Sequence, residues 1–330
     1  MSSPNPIGVL LVQLGTPDAP TPKALRRYLR EFLGDPRVIN LPRPARWLLL
    51  NLIILPFRPA RSAALYRRIW TDEGSPLLLT SQAQAQGLQE LLGDGYQVAL
   101  GMRYGRPTLK AALGSLVKSR CARLVVLPLF PQYSSATTAS VYDACFAELR
   151  RNRTVPALSV VPRFYADPGY TTAVAARGRE HLGERLQQAR VLFSFHGIPQ
   201  RFVREGDPYE EHCRATALAI AEKLQLPSER WSVAFQSRFG RAPWLTPYTV
   251  DEFARLGREQ GGLLAVFCPG FVADCLETLD EIGGIGAEQY RAAGGSELSL
   301  VPCVNDHPLF LEALAGLVRR EGGSGLDGRE

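Results

Sequence analysis

An apolar run that stops at a histidine is the first place to look for chemistry in this chain. Phe193-Ser194-Phe195-His196-Gly197-Ile198-Pro199 carries apolar residues straight into an imidazole, and Gly and Pro then turn the chain. The pattern puts His196 at the C-terminal edge of a sheet, where doubly wound proteins gather their ligands. An imidazole titrates near neutrality, so it accepts a proton or offers a neutral nitrogen to a metal. The plain alternative is a strand-end histidine hydrogen-bonded to a neighbouring loop.

A second run begins Cys268-Pro269-Gly270-Phe271-Val272-Ala273-Asp274-Cys275-Leu276-Glu277 and continues through Thr278, Leu279, Asp280, Glu281 and Ile282. A strand ends at Cys268, Pro-Gly turns the chain, and a helix starts. Asp274, Glu277 and Glu281 recur at i, i+3 and i+7, so an α-helix stacks them on one face. Leu276, Leu279 and Ile282 then mark the face toward the core. Taken alone, such a row equally suits a solvated acidic face at a helix start, where carboxylates are favourable anyway. Set against His196, it becomes a base opposed by carboxylates. That arrangement suits moving protons out of a ligand while a cation is delivered.

Something must hold these groups in place, and the sequence supplies it. Short continuous apolar runs recur at Ile7–Gln13, Tyr96–Met102, Arg123–Phe130 and Leu158–Pro162. They return at Arg190–Phe195, Trp231–Gln236, Leu263–Cys268 and Glu297–Pro302. Runs without polar alternation are expected of strands covered on both faces. Helical stretches lie between them, among them Pro107–Ser119, Ala139–Arg151, Tyr209–Leu224 and Thr249–Gln260. The expected fold class is therefore α/β: two Rossmann-like lobes, each a four-stranded parallel sheet flanked by helices. Residues 1–163 form the first lobe and 164–306 the second, with the break at the Asp-Pro-Gly turn of Arg163–Gly169. Their strand C-termini are expected around a shared cleft. A last helix over 307–320 follows Asn305-Asp306, a good N-cap pair, and the tail 321–330 is expected to be disordered.

Composition narrows the field. The chain has 330 residues, 45% hydrophobic and 21% charged, which excludes a disordered, collagen-like or multi-span membrane protein. Basic residues exceed acidic ones 38 to 32, a net charge of +6. They are scattered, so no nucleic-acid partner is expected. No P-loop is present, and the first strand leads into Leu14-Gly15-Thr16-Pro17 instead of a dinucleotide fingerprint. Six cysteines at 121, 145, 213, 268, 275 and 303 form no C-x-x-C pair. Isolated cysteines and an N-terminus without a basic, cleavable leader give a cytoplasmic expectation.

At this point the chain resembles the ferrochelatases, which insert Fe(II) into a porphyrin. The resemblance runs from Val9 to about Val318 on separated motifs. They include Gln13-Leu14-Gly15-Thr16-Pro17, Tyr66-Arg67-Arg68-Ile69, Gly74-Ser75-Pro76 and Met102-Arg103-Tyr104. Phe130-Pro131-Gln132-Tyr133-Ser134, the His196 segment, Gly206-Asp207-Pro208-Tyr209 and Phe235-Gln236-Ser237-Arg238 with Pro243-Trp244-Leu245 follow. Asp274-Cys275-Leu276-Glu277-Thr278-Leu279 completes the set.

The resemblance implies a lyase that makes haem from a porphyrin, with two protons released and the macrocycle held between the lobes. It makes His196 and Glu277 the catalytic pair and ligands of the travelling metal, with Asp274 and Glu281 lining a path for protons or iron. Leu14, Arg103, Tyr104, Tyr133, Ser237, Trp244 and Phe271 become porphyrin contacts. Arg67 and Arg68 become contacts to the propionates or to a covering lip at about 43–76. Fe(II) is a substrate, no permanently bound cofactor is expected, and no cysteine after Cys303 is present to hold a [2Fe–2S] cluster.

The residue types fit that chemistry. Iron is handed over best by exchangeable oxygen and imidazole ligands, since thiolates would retain it. Bending the macrocycle tips its nitrogen lone pairs out of plane, toward the transition state. Cys275 reads as a packed thiol. Trp47–Phe57 is strongly apolar with arginines on its flanks, yet short of the about 20 residues a span needs. It reads as peripheral membrane contact, at the inner face of the membrane, or as a buried lip. Protoporphyrin IX is the expected substrate and a monomer the expected state. Coproporphyrin III, sirohydrochlorin chelation and a non-catalytic porphyrin or haem carrier are the alternatives.

Overall fold

Four of the apolar runs become β1 (Ile7–Thr16), β2 (Tyr96–Gly105), β3 (Arg123–Pro128) and β4 (Ala157–Val160), all parallel in the order β2-β1-β3-β4. The other four become β5 (Arg190–His196), β6 (Trp231–Gln236), β7 (Leu263–Phe267) and β8 (Glu297–Leu300), parallel in the order β6-β5-β7-β8. This computed structural model describes residues 5–240 and 242–323. The chain divides into two units: Met1–Phe130, Ser134–Arg163 and Leu311–Glu330 in one, Pro131–Tyr133 and Phe164–Phe310 in the other.

In the first unit β1 is central, paired with β2 and β3, and Val9 to Val12 are fully buried. Helices cover both faces, which is why the strand reads as an unbroken apolar run. Leu10 and Val12 pack with Leu113, Leu116, Val141 and Cys145 on one face. Where β1 ends, Gly15 has a φ of +113°, and a Cβ there would strike the Tyr104 carbonyl. Only glycine allows this close approach of β1 to its parallel neighbour β2.

The segment Arg43–Ile69 is continuously helical, but its middle turn, Leu49–Ile54, is π-helical. Pro56 and Pro59 follow, and a proline removes a donor and crowds the carbonyl four residues back. Leu50, Ile54, Leu55 and Ala63 pack inward with Leu25, Tyr28 and Tyr104. Trp47, Leu52, Ile53 and Phe57 point outward, each at least 59% exposed.

In the second unit β5 is central between β6 and β7. Leu192, Ala234 and Val266 pack with Phe253, Ile282 and Tyr290. Two expectations need correction here. The helix after β7 is π over Glu277–Gly286, and Asp274 lies ahead of it. Its i→i+5 bonding changes which residues face inward. Thr278 and Asp280 are buried beside Ile282, while Leu276 and Leu279 are only half-buried. Gly283, Gly284 and Gly286 weaken α-helix formation along this stretch.

The last helix is Pro308–Gly323, so Glu321 to Gly323 are helical, not tail. The rest of the expected tail, 324–330, lies outside the described residues. His307 caps this helix, its Nδ1 accepting from the Leu309 N–H at 3.2 Å. Asn305 does not.

Candidate active site

The order β6-β5-β7-β8 places a change of winding direction at β5 and β7, where ligands of open parallel sheets bind at the strand C-termini. His196 ends β5, and the turn after β7 leads to Asp274 and Glu277. Both sequence candidates therefore sit at one edge of one sheet.

His196 is half-buried behind a fully buried Phe195. Its Nδ1 lies 2.7 Å from the Gly197 carbonyl oxygen, which can only accept. In the neutral ring Nδ1 would therefore carry the proton, and Nε2 the lone pair open to a proton or a metal. The Trp244 ring lies 6.3 Å from the imidazole, centroid to centroid. Glycine at 197 permits this. A Cβ there would come within 3.0 Å of the Gln236 carbonyl and 3.2 Å of Trp244 Cε3.

Gln236, at the end of β6, ties the edge together. Its Oε1 accepts from Ser194 at 2.7 Å, and its Nε2 donates to the Glu277 carbonyl at 2.8 Å. The first residue of the π-helix is thus fastened to the sheet. Ser237, at a φ of +63°, donates its backbone N–H and hydroxyl to the two oxygens of Glu281. Burial pushes the Glu281 carboxyl above its ordinary range. The Ser237 hydrogen bond and the nearby His196 pull it back, and Glu277 pushes it up. His196, Glu277 and Glu281 therefore share one electrostatic neighbourhood.

Asp274 is placed differently. Asn305 donates to its Oδ2 at 2.8 Å, while Thr278 and the Cys303 N–H reach Oδ1 at 3.0 and 3.3 Å. Cys275 is buried, and burial followed by the Glu277 charge pushes its thiol well up, as befits a packed cysteine. Among the described residues no three His, Cys, Asp or Glu side chains form a metal cage.

The remaining candidates divide between the units. Phe271 lies in the turn after β7, its N–H on the Cys268 carbonyl, and packs against the second core. The Tyr133 N–H donates to His212 Nδ1 at 3.3 Å, with His212 stacked on Tyr165 at 3.9 Å. In the first unit Leu14 is half-buried beside the cluster holding Tyr104. Arg67 and Arg68 are exposed at a helix end, with Arg67 on the Pro20 carbonyl.

Arg103 and Tyr104, expected as porphyrin contacts, are both engaged by Asp35 in the first unit. Arg103 Nη2 meets Asp35 at 2.5 Å, and its Nε reaches the Ser140 hydroxyl at 2.7 Å. Tyr104, 1% exposed, donates to the same Asp35 at 2.8 Å, so its ring is interior wall. The sequence does not mark Asp35, Ser140 or Asn305 as partners of these groups. Asp35 stands in a Gly-Asp-Pro turn, the one local signal available.

In the solved structures, the fold is that of the metal chelatases. SirB from Bacillus subtilis with Fe3+ matches with a TM-score of 0.59 at 13% identity, covering 96% of this chain and 95% of that one. The cobalt-bound sirohydrochlorin chelatase SirB of Bacillus subtilis subspecies spizizenii gives 0.58 at 10% identity, covering 97% of each. At such identities the likeness is one of fold. Sequence goes further. The ferrochelatase family model matches residues 6–322, and this chain belongs to the ferrochelatase family. It is 50% identical to the ferrochelatase of Thioalkalivibrio sulfidiphilus over 96% of this chain and 87% of that one. The Pectobacterium atrosepticum ferrochelatase is 47% identical over 94% of this chain and 97% of its own length.

Proposed function

We propose that this chain inserts Fe(II) into protoporphyrin IX at the edge formed by His196, Glu277 and Glu281, and that His196 and Glu277 act on the ring as a pair. The family activity itself is that of a lyase, metal chelation that turns a porphyrin into haem. One observation carries the assignment of residues. The Gly197 carbonyl engages His196 Nδ1, which leaves Nε2 as the ring nitrogen for a ligand, and the charges of His196 and Glu277 both act on Glu281.

Two pyrrole protons must leave as iron enters. A neutral imidazole takes a proton without first having to lose one. Glu281, raised by burial and held by Ser237, is suited to pass a proton onward. Glu277, anchored through its backbone to Gln236, offers oxygen to Fe(II) in transit. Trp244 and Phe271 supply apolar surface to the macrocycle at the same edge. A carrier would need no proton acceptor, so the neighbouring His and carboxylates favour turnover. Anaerobic metal insertion into protoporphyrin IX and coproporphyrin III by the purified protein tests both parts. Faster turnover of coproporphyrin III would overturn the substrate assignment.

We also propose that Trp47–Phe57 rests on a lipid surface at the cytoplasmic side. The segment is one-sided. Trp47 is 59%, Leu52 60% and Phe57 71% exposed, while Leu50, Ile54 and Leu55 are held in the core of the first unit. An amphipathic helix so anchored suits the interface better than a crossing, although Arg43–Ile69 is 27 residues long. Six buried, unpaired cysteines support a reducing compartment.

A further inference from the structure

Asp274 sits in the acidic row by sequence, yet its carboxylate is occupied by the protein itself. Its two oxygens meet three donors: Asn305 Nδ2 at 2.8 Å, the Thr278 hydroxyl at 3.0 Å and the Cys303 N–H at 3.3 Å. The same Asn305 amide turns its Oδ1 to the Asp274 N–H at 2.9 Å. The two residues therefore clasp each other twice, side chain to side chain and side chain to backbone. Asn305 adopts a φ of +48°, the left-handed region that asparagine tolerates better than most residues, and its own N–H holds the Val272 carbonyl at 3.0 Å.

The clasp lies where the acidic helix starts. Three residues after Asp274 the π-helix begins at Glu277, fastened to the sheet by Gln236, and one turn later Ser237 grips Glu281. The π form is rarer than the α form, and α geometry over this stretch would rotate Glu281 away from Ser237. Fixing the residue ahead of its first turn opposes that. Thr278 strengthens the link, since it lies inside the helix, fully buried, and donates back to Asp274.

We propose that Asp274 and Asn305 are a positioning pair that sets the phase of the helix carrying Glu277 and Glu281, and that the Asp274 carboxylate moves neither protons nor iron. The proposal rests on the reading of Glu277 and Glu281 as the reacting carboxylates. Asn305 acts through Asp274, holding both its carboxylate and its N–H.

An exchange of the two side chains separates position from chemistry. Asp274→Asn sets one amide NH2 against another, and Asn305→Asp sets two carboxylates together. In the double variant every hydrogen bond returns with the charge on the other residue. The amide introduced at position 274 would donate to the carboxylate introduced at position 305, and would still accept from Thr278 and the Cys303 N–H. That carboxylate would in turn accept from the backbone N–H of position 274.

With Zn(II) and protoporphyrin IX as probes, each single variant is expected to lower kcat by about tenfold or more, with the porphyrin KM little changed. The double variant is expected to recover to within about threefold of the unaltered chain and to keep its pH–rate limbs, the signature of coupled residues. A double variant as slow as Asp274→Asn alone would overturn the proposal, because the carboxylate at 274 would then be needed for itself. Asn305→Gly tests the same point with Asp274 intact and the left-handed backbone undisturbed. It should lose kcat about as much as the single exchanges. Wild-type turnover in that variant would also overturn the pair. Failure of the underlying reading shows elsewhere, as unimpaired turnover in Glu277→Gln.

Discussion

Ser237 gives the Glu281 carboxylate two donors at once, its backbone N–H at 2.8 Å and its hydroxyl at 2.6 Å. It does so from a φ of +63°, a conformation that costs a non-glycine residue about 1 kcal/mol or more. The backbone bends so that a half-buried acid has partners, and His196 lies within electrostatic reach of the same acid.

Ser237→Ala should therefore move the acid limb of the pH–rate profile upward. The hydroxyl hydrogen bond lowers the Glu281 value that burial raises. Removing it lets burial push the carboxyl higher, so a step needing the ionised form loses rate at low pH first. An unmoved acid limb would show that Glu281 does not limit turnover.

The same raised value makes a stability statement. A carboxyl whose folded value exceeds its unfolded one contributes stability fully below the ordinary carboxylate range. That contribution is lost as pH rises through the raised value. The melting temperature of the unaltered chain relative to Glu281→Gln should thus fall as pH is raised through that window. A pH-independent difference would contradict the burial of this group.

His196→Ala is expected to lower metal insertion by about 10²- to 10⁴-fold, the usual worth of a positioned general base. Porphyrin binding, followed by fluorescence quenching, should persist because Trp244 and Phe271 remain. Loss of binding together with rate would instead make His196 a part of the pocket wall.

Asp35 holds Arg103, Tyr104 and Ser140 together, with its side chain 4% exposed against 21% for Arg103. Asp35→Ala removes the carboxylate that Arg103 and the Tyr104 and Ser140 hydroxyls share, leaving a half-buried guanidinium without its counter-charge and only Ser140 as a partner. The expected loss is about 3 kcal/mol in urea unfolding, the lower end for a broken buried pair because Arg103 keeps some access to water. A change below about 1 kcal/mol would place this network among ordinary surface pairs.

Replacing Trp47 and Leu52 with Ser should release the protein from vesicles of mixed neutral and anionic phospholipid in a flotation assay. Each large apolar side chain withdrawn from water is worth about 1.5–3 kcal/mol. Both are exposed, so the melting temperature should change little. Flotation equal to that of the unaltered chain would refute the membrane contact.

Much of this fold is written locally. A strand buried on both faces has to be apolar throughout, so β1, β3, β5 and β7 announce themselves in runs such as Val9 to Val12. The place of His196 follows as well, since a strand that ends at Gly-Ile-Pro ends at a sheet edge. Even the family is legible, because its motifs are short stretches of chain. The relation between Asp274 and Glu281 is different. Read as an α-helix, the row shares one face; the π-turn and the clasp by Asn305 separate the two.

By itself, then, the amino-acid sequence determined the two parallel sheets, the histidine at the end of β5 and the presence of carboxylates after β7. Tertiary structure alone decided which carboxylate is held by Ser237 and which is held by Asn305. The reason is distance along the chain. Asn305 is 31 residues from Asp274, Ser237 is 44 from Glu281, and Asp35 is 68 from Arg103. Periodicity within one helix carries no record of such partners, and the hydrogen bonds that select among equivalent acidic residues exist only once the strands have brought those partners together.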